Sequence, residues 1–372
     1  MNYGLMDEPR KKNRWLRWVS LAAVLLLIAL GVWLAVRTVR QPGSGLKATR
    51  LRCVAGQDVT PFGNNVLYYD GMTLYCLNTD GGERWSYSLG SGAGFDAGSN
   101  CVAAWVDNQL YIIDKNGKAT YNDHLPGTVQ FARAGTRYVA AVLGDGFSPT
   151  VLIKDLVGLT VDDKSLAYEE KAVLDLGFFL DGEYMYAVTL DTYSTVAENT
   201  LYTIRVGQMN TGELALGEPL TYAVCYAAGK LYVISTQEMK VCDYHCTVDR
   251  NATKLTYGWY LVDYREGNGN AELLFAPSRQ LNEGGGLTEL RLLRGSEDKR
   301  MTLPSACVGG GLYRGRVYAF SSDSVYRAAY GDKRFTPVGL NLPRSVTGFL
   351  GITNNGVALL SCGEDVYAVP LP

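Results

Sequence analysis

Apolar and polar residues alternate along most of this chain in runs of about four to eight, separated by Asp-Gly, Asp-Asn and related turn signals. One stretch breaks the pattern: residues 18–36, WVSLAAVLLLIALGVWLAV, are continuously apolar and uncharged. The alternation predicts short β-strands joined by tight turns. The apolar run predicts a helix about 28 Å long, close to the roughly 30 Å hydrocarbon core of a bilayer.

Arg10, Lys11, Lys12, Arg14 and Arg17 precede the run, as in a secretory signal. However, the run exceeds the roughly 7 to 15 residues of a cleavable apolar region, and Leu34-Ala35-Val36-Arg37 is not a small-x-small cleavage site. We therefore read 18–36 as an uncleaved transmembrane signal-anchor, with Trp15, Trp18 and Trp33 at interfacial depth. Arg37, Arg40, Lys47, Arg50 and Arg52 follow the helix almost as densely, but the upstream charges crowd closer to it, and long C-terminal domains translocate largely regardless of charge. Residues 1–17 are thus expected to be a short basic cytoplasmic tail and residues 37–45, with Pro42, Gly43 and Gly45, a linker. The remaining domain, 46–372, is expected on the extracytoplasmic side of the cell membrane, with the bilayer as a partner through residues 18–36.

The domain repeats itself. Residues 66–69, Asp70-Gly71, 73–77, a turn at 78–82 and 84–88 are followed by the same order at 101–106, Asp107-Asn108, 109–113, a turn at 114–117 and 119–121. Asp70, Asp107 and Gly144 open turns about 37 residues apart, near the period of propeller blades. Looser copies pair 184–190 with 200–206, 316–321 with 324–330, and 357–362 with 365–371; 230–235 and 259–264 bracket an insertion at 236–256. The expected fold is all-β: a seven-bladed β-propeller of four-stranded antiparallel blades, preceded by one transmembrane helix. Residues 277–303 fit the repeat poorly and leave room for an eighth blade. The last copy lacks a fourth strand, and residues 46–54 are the expected donor to the blade at 345–371, because closing the ring removes exposed sheet edges.

NVLYYDGMTLYCLNTDGGERWSY at 65–87 resembles the quinoprotein-like (PQQ-type) propeller repeat. Asp70-Gly71, Leu74-Tyr75-Cys76-Leu77-Asn78, Gly81-Gly82-Glu83 and Trp85 occupy the family's Asp-Gly turn, Leu-Tyr-Ala-Leu-Asp strand, Thr-Gly-Lys-like turn and Trp. QLYIIDKNGKATY at 109–121 is a weaker match, and MNTGEL at 209–214 keeps the turn. The resemblance implies a blade and names no activity. Quinone-dependent dehydrogenases of the family hold their cofactor with a vicinal Cys-Cys disulfide and an acidic calcium site. This chain has no adjacent cysteines, so no cofactor is expected. The likeness is nearer to non-catalytic relatives such as the propeller lipoprotein of the outer-membrane β-barrel assembly machinery, with a membrane helix in place of a lipidated cysteine. The chain looks like one of a group of single-pass, propeller-bearing bacterial membrane proteins.

Candidate chemistry is sparse. A formal net charge of -2, with basic residues scattered beyond the helix flanks, gives no nucleic-acid footprint. Histidine occurs at His124 and His245, and Cys242, His245 and Cys246 in CDYHC form the one clustered soft-ligand set. Its spacing is not that of a zinc finger and no fourth ligand completes it, so no metal site is assigned. A Cys242–Cys246 disulfide needs a turn through 243–245, because in an extended strand these positions lie about 13 Å apart. The insertion at 236–256 is a candidate contact loop. Cys53, Cys76, Cys101, Cys225, Cys307 and Cys362 fall in strand-like runs as small buried hydrophobes, and such thiols lean against an oxidising exterior. The 25 tyrosines fall mostly in strand runs, where aromatic rings pack between blades; a ligand-binding aromatic belt is the alternative. Asp191 and Glu198 are expected to be solvated on a long loop, with a glycosidase-like carboxylate pair as the alternative, for which nothing in the sequence fixes their separation. Gly284-Gly285-Gly286 lacks the following helix of a phosphate loop, and the Asn251 sequon matters only in a glycosylating pathway.

No catalytic set is assigned. The favoured function is a non-catalytic, membrane-tethered scaffold that binds a protein or an envelope polymer on one propeller face. The alternative is an extracytoplasmic hydrolase using acidic residues near the channel; the lack of a clustered nucleophile, base and orienting group weighs against it. A pair of channel carboxylates with raised pKa points to the hydrolase, whereas an aromatic or apolar patch on one face points to binding.

Overall fold

The alternating runs become strands whose apolar residues pack against a neighbouring sheet. The structure is a computed structural model and describes residues 45–144, 149–163, 171–191, 193, 195–267 and 269–372. The apolar run 18–36, its basic flank and the turn residues 145 and 146 lie outside them. Among the described residues no helix is long and apolar enough to cross a membrane.

Eight antiparallel blades form the domain, rather than the seven the repeats suggested. Seven have their four strands in consecutive order, at 60–88, 94–124, 129–163, 171–217, 221–255, 259–307 and 309–341. The eighth combines Gly348–Ile352, Val357–Cys362 and Asp365–Pro370 with Thr49–Val54. Thr49 and Arg50 pair with Ala368 and Tyr367, and Val54 with Asp365. Just before them, Leu46–Lys47 runs parallel to Thr336–Asn341 as a fifth strand on the seventh blade.

One expectation is corrected. Residues 236–256 are not an insertion: Glu238–Cys242 and Lys254–Leu255 are the third and fourth strands of the fifth blade. Trp259–Gly267, which follows, pairs with Asn270–Pro277 and opens the sixth blade. Residues 277–303 supply that blade's short helix Ser278–Glu283 and most of its outer strands, Leu287–Arg294 and Glu297–Cys307. Gly284 closes the helix in the left-handed region.

Eight buried clusters hold the ring, one between each pair of adjacent blades. The first and second blades share Leu74, Trp85, Val102 and Ile113; the eighth and first share Leu51, Val66, Leu359 and Val366. All eight cysteines are buried free thiols within these layers. The inner strands of the third, fourth, fifth, sixth and eighth blades each carry a register shift near their start. Such a bulge re-aims the residues that follow it, so Asp175 and Asp263, each paired just past the shift, occupy equivalent places.

Burial, not surface charge, is expected to hold the closing strand. Leu51 is buried in the joint, whereas Arg50, 2.6 Å from Asp365, has a mostly exposed side chain. Leu51→Ala should lower stability by about 2 to 4 kcal/mol in urea denaturation, and Arg50→Ala by less than about 1 kcal/mol; the reverse ranking would mean that the ion pair, not the apolar joint, closes the ring.

Candidate functional site

The inner strands meet around a central channel, and most of the polar side chains there bridge neighbouring blades. Asp96 of the second blade accepts the Ala134 N–H of the third at 2.8 Å. Arg133 of the third reaches Asp175 of the fourth at 3.0 Å through Nη2 and 3.2 Å through Nε. Tyr186 of the fourth donates toward Asp175 at 3.2 Å and the Val224 carbonyl of the fifth at 3.3 Å. The Leu261 N–H of the sixth blade donates to Tyr222 of the fifth at 3.1 Å, and the Leu312 N–H of the seventh to Asp263 of the sixth at 2.7 Å. Arg265 extends from the sixth blade to the Ile352 carbonyl of the eighth at 3.2 Å.

These groups sit in a low-dielectric wall. Burial raises the Asp96 carboxyl above its ordinary value, against the Ala134 N–H and Arg133, which lower it. Burial likewise raises Asp263, opposed by Arg265 and the Leu312 N–H. Tyr264 has its pKa pushed up to about 12 by burial, yet 44% of its surface is exposed, because the ring faces the channel and not a packed layer.

A cavity of about 590 Å³ is lined by residues of the second to sixth blades, among them Asp96, Arg133, Phe179, Leu180, Tyr226 and Tyr264. Leu180, Asp181 and Gly182 are all left-handed, with φ of 50°, 53° and 86°. For leucine that is a strained conformation, and it presents a side chain that is 39% exposed. From the cavity wall a chain of rings crosses the fourth and fifth blades. Tyr226 lies 5.1 Å from Phe179, Phe179 5.5 Å from Tyr184, Tyr184 5.2 Å from Tyr244, and Tyr244 4.1 Å from His245.

The sequence candidates fall elsewhere or only partly together. Cys242 and Cys246 are buried side by side at the end of the fifth blade's third strand. His245 turns outward, with Nδ1 3.3 Å from the Thr211 carbonyl, so the three do not converge. His124 lies apart, exposed beside Asn108. Among the described residues no group of His, Cys, Asp and Glu is placed to hold a metal ion. Asp191 and Glu198 are not loop residues: they end and begin two paired strands of the fourth blade and stand opposite each other in register. The sequence reading named neither the channel groups nor the aromatic strip; the Asp-Gly and Tyr-rich patterns that encode strands do not say which strand is innermost.

No protein-family model matches the sequence, and neither does any curated protein. Solved structures do match in fold. BamB from Moraxella catarrhalis aligns over 88% of this chain and 97% of its own, with 11% identity and a TM-score of 0.51. Sqt1 from Saccharomyces cerevisiae aligns over 87% and 100%, with 9% identity and a TM-score of 0.56. The architecture shared with both is the β-propeller.

The buried carboxylates give the domain a defined response to pH. Asp263 titrates near about 4 in an unfolded chain and higher when folded, so between those values the folded state holds the extra proton. Its contribution to stability therefore falls as pH rises through that window and stays low above it. The stability of Asp263→Asn relative to the parent, from urea melts, should increase between about pH 3 and pH 7; a relative stability that declines over this range would contradict the assignment.

Proposed function

We propose that this protein is a non-catalytic, membrane-tethered scaffold. Residues 18–36 anchor it in the cell membrane with the N-terminus in the cytoplasm. The propeller stands on the extracytoplasmic side and binds a protein or an envelope polymer. The observation that carries the reading is the strained, exposed Leu180 at the cavity, with the exposed Tyr244 at the far end of a ring series whose inner members, Phe179, Tyr184 and Tyr226, pack between the fourth and fifth blades. Strain kept at an exposed leucine is more readily explained by contact than by folding.

The raised carboxylates at the channel fit the hydrolase alternative less well. Asp96 and Asp263 already accept backbone N–H groups from the next blade, and Asp175 holds Arg133. Each is committed to joining blades, and a general acid needs a free oxygen aimed at a substrate.

In-cell crosslinking of the full chain, read by mass spectrometry, tests the binding face. Partner crosslinks should concentrate near residues 179–184, 226 and 244. Tyr244→Ser and Leu180→Gly should each reduce them several-fold, while Leu180→Gly raises stability by roughly 1 kcal/mol as the left-handed strain is relieved. Crosslinks spread evenly around the ring, or unchanged in both variants, would remove this face. For topology, Glu297→Cys should react with a membrane-impermeant thiol reagent in whole cells. Protection in intact cells with reaction after lysis would reverse the orientation.

A further inference from the structure

Cys246 stands where the first three blades use glycine. In the turns at 78–82, 114–118 and 155–159, the fourth residue is Gly81, Gly117 or Gly158, with φ of 88°, 85° and 92°. Its N–H bonds to the carbonyl of the turn's first residue at 3.0, 3.0 and 3.1 Å. The turn at 243–247 has the same construction. Cys246 N–H bonds to the Asp243 carbonyl at 3.0 Å, and Asp243 Oδ1 accepts the N–H groups of His245 and Thr247 at 2.9 and 2.8 Å. Asp114 and Asp155 bind their own turns in the same way. Yet the fourth residue is a cysteine at φ 61°, a conformation that side chains other than glycine's disfavour.

The preceding blade is altered to match. Trp85 and Tyr121, on outer strands, cover Gly117 and Gly158 so closely that a Cβ at either glycine would collide with the ring. Opposite Cys246 the outer strand of the fourth blade carries Gly212, where a Cβ would strike His245, and Thr203 Oγ1 lies 3.5 Å from Cys246 Sγ. The aromatic cover seen on Gly117 and Gly158 is replaced here by a glycine on which the His245 backbone packs. Cys242, which ends Glu238–Cys242 and forms a bridge with Val248, lies in the same buried layer as Cys246, four residues away across the turn.

We propose that Cys242 and Cys246 form a reversible dithiol–disulfide site, oxidised by a small or protein-borne disulfide. The Cys246 thiolate attacks one sulfur of that disulfide, breaking its S–S bond and releasing one thiolate. Cys242, losing its proton, then attacks the Cys246 sulfur, forming the Cys242–Cys246 bond and releasing the second thiolate. The two cysteine protons pass to the two leaving thiolates, so the protein loses two electrons and two hydrogens and the oxidant gains them. Cys246 is the first sulfur to react because it is the more exposed, at 6% against 1% for Cys242. The bond ties off the turn that carries Tyr244. The site rests on its own geometry, whatever binds the face.

The test uses the full-length chain in detergent, treated with oxidised glutathione, quenched with N-ethylmaleimide and mapped by peptide mass. The peptide spanning 242–246 should lose two hydrogens in most molecules, and dithiothreitol should restore them. Cys246→Gly introduces the residue that the first three blades use at this turn. It should fold with a Tm no lower than that of the reduced parent and show no hydrogen loss. Thiols that stay reduced, a lasting glutathione adduct, or bonding of either cysteine elsewhere would overturn the proposal. So would a Tm for Cys246→Gly far below the parent's, since Cys246 would then be present for packing.

Discussion

Everything in this domain depends on the pairing of Thr49–Val54 with Asp365–Pro370. A blade has two faces and each must be covered by a neighbour; a row of eight left open would expose two apolar faces at its ends. Closing the row removes both at once. The joint is made by the two ends of the domain, and its apolar layer of Leu51, Val66, Leu359 and Val366 is built like the other seven. The channel and the face around it exist because the ring is shut.

Within that ring, charge is used to join blades. Asp96, Asp175 and Asp263 project from inner strands where water is scarce, and each is held by a group from the adjoining blade. A carboxylate that accepts a backbone N–H removes an orphan donor and aligns the next strand, at the cost of its own desolvation. The same burial that suggests reactive acids therefore serves architecture here. Near the cavity the exposed members are the strained Leu180 and Tyr244, linked through the buried Phe179 and the half-buried Tyr184 and Tyr226. Those two exposed residues are where the proposed contact would be made.

How much of this was legible in the sequence depended on turn chemistry. Asp70-Gly71 and the glycines at 81 and 117 announce the first two blades, because their left-handed turns leave few alternatives. The fifth blade was hidden by Cys246, which performs a glycine's conformational task without a glycine's signature, so its outer strands read as an insertion. The sixth was hidden by a different device: a helix at Ser278–Glu283 separates its second and third strands, where the first, second, fifth, seventh and eighth blades use two or three residues. The bridges were beyond reach for another reason. Asp263 and Leu312 lie far apart in the chain, and the register shift between Leu261 and Asp263 that aims the carboxylate leaves no mark in composition. Cys242 and Cys246 were visible as a pair, but the turn that brings them together followed from the repeat only once that repeat had been placed.

Hydrogen exchange of the full-length chain, resolved by peptide, tests the closed ring most directly. The Thr49–Val54 amides that pair with the last strand should be protected to the same degree as Val357–Cys362, and both should open together on adding urea, because they belong to one cooperative blade. Rapid exchange of the first segment while the second stays protected would mean that the eighth blade is completed some other way, and the closed eight-bladed propeller would have to be abandoned.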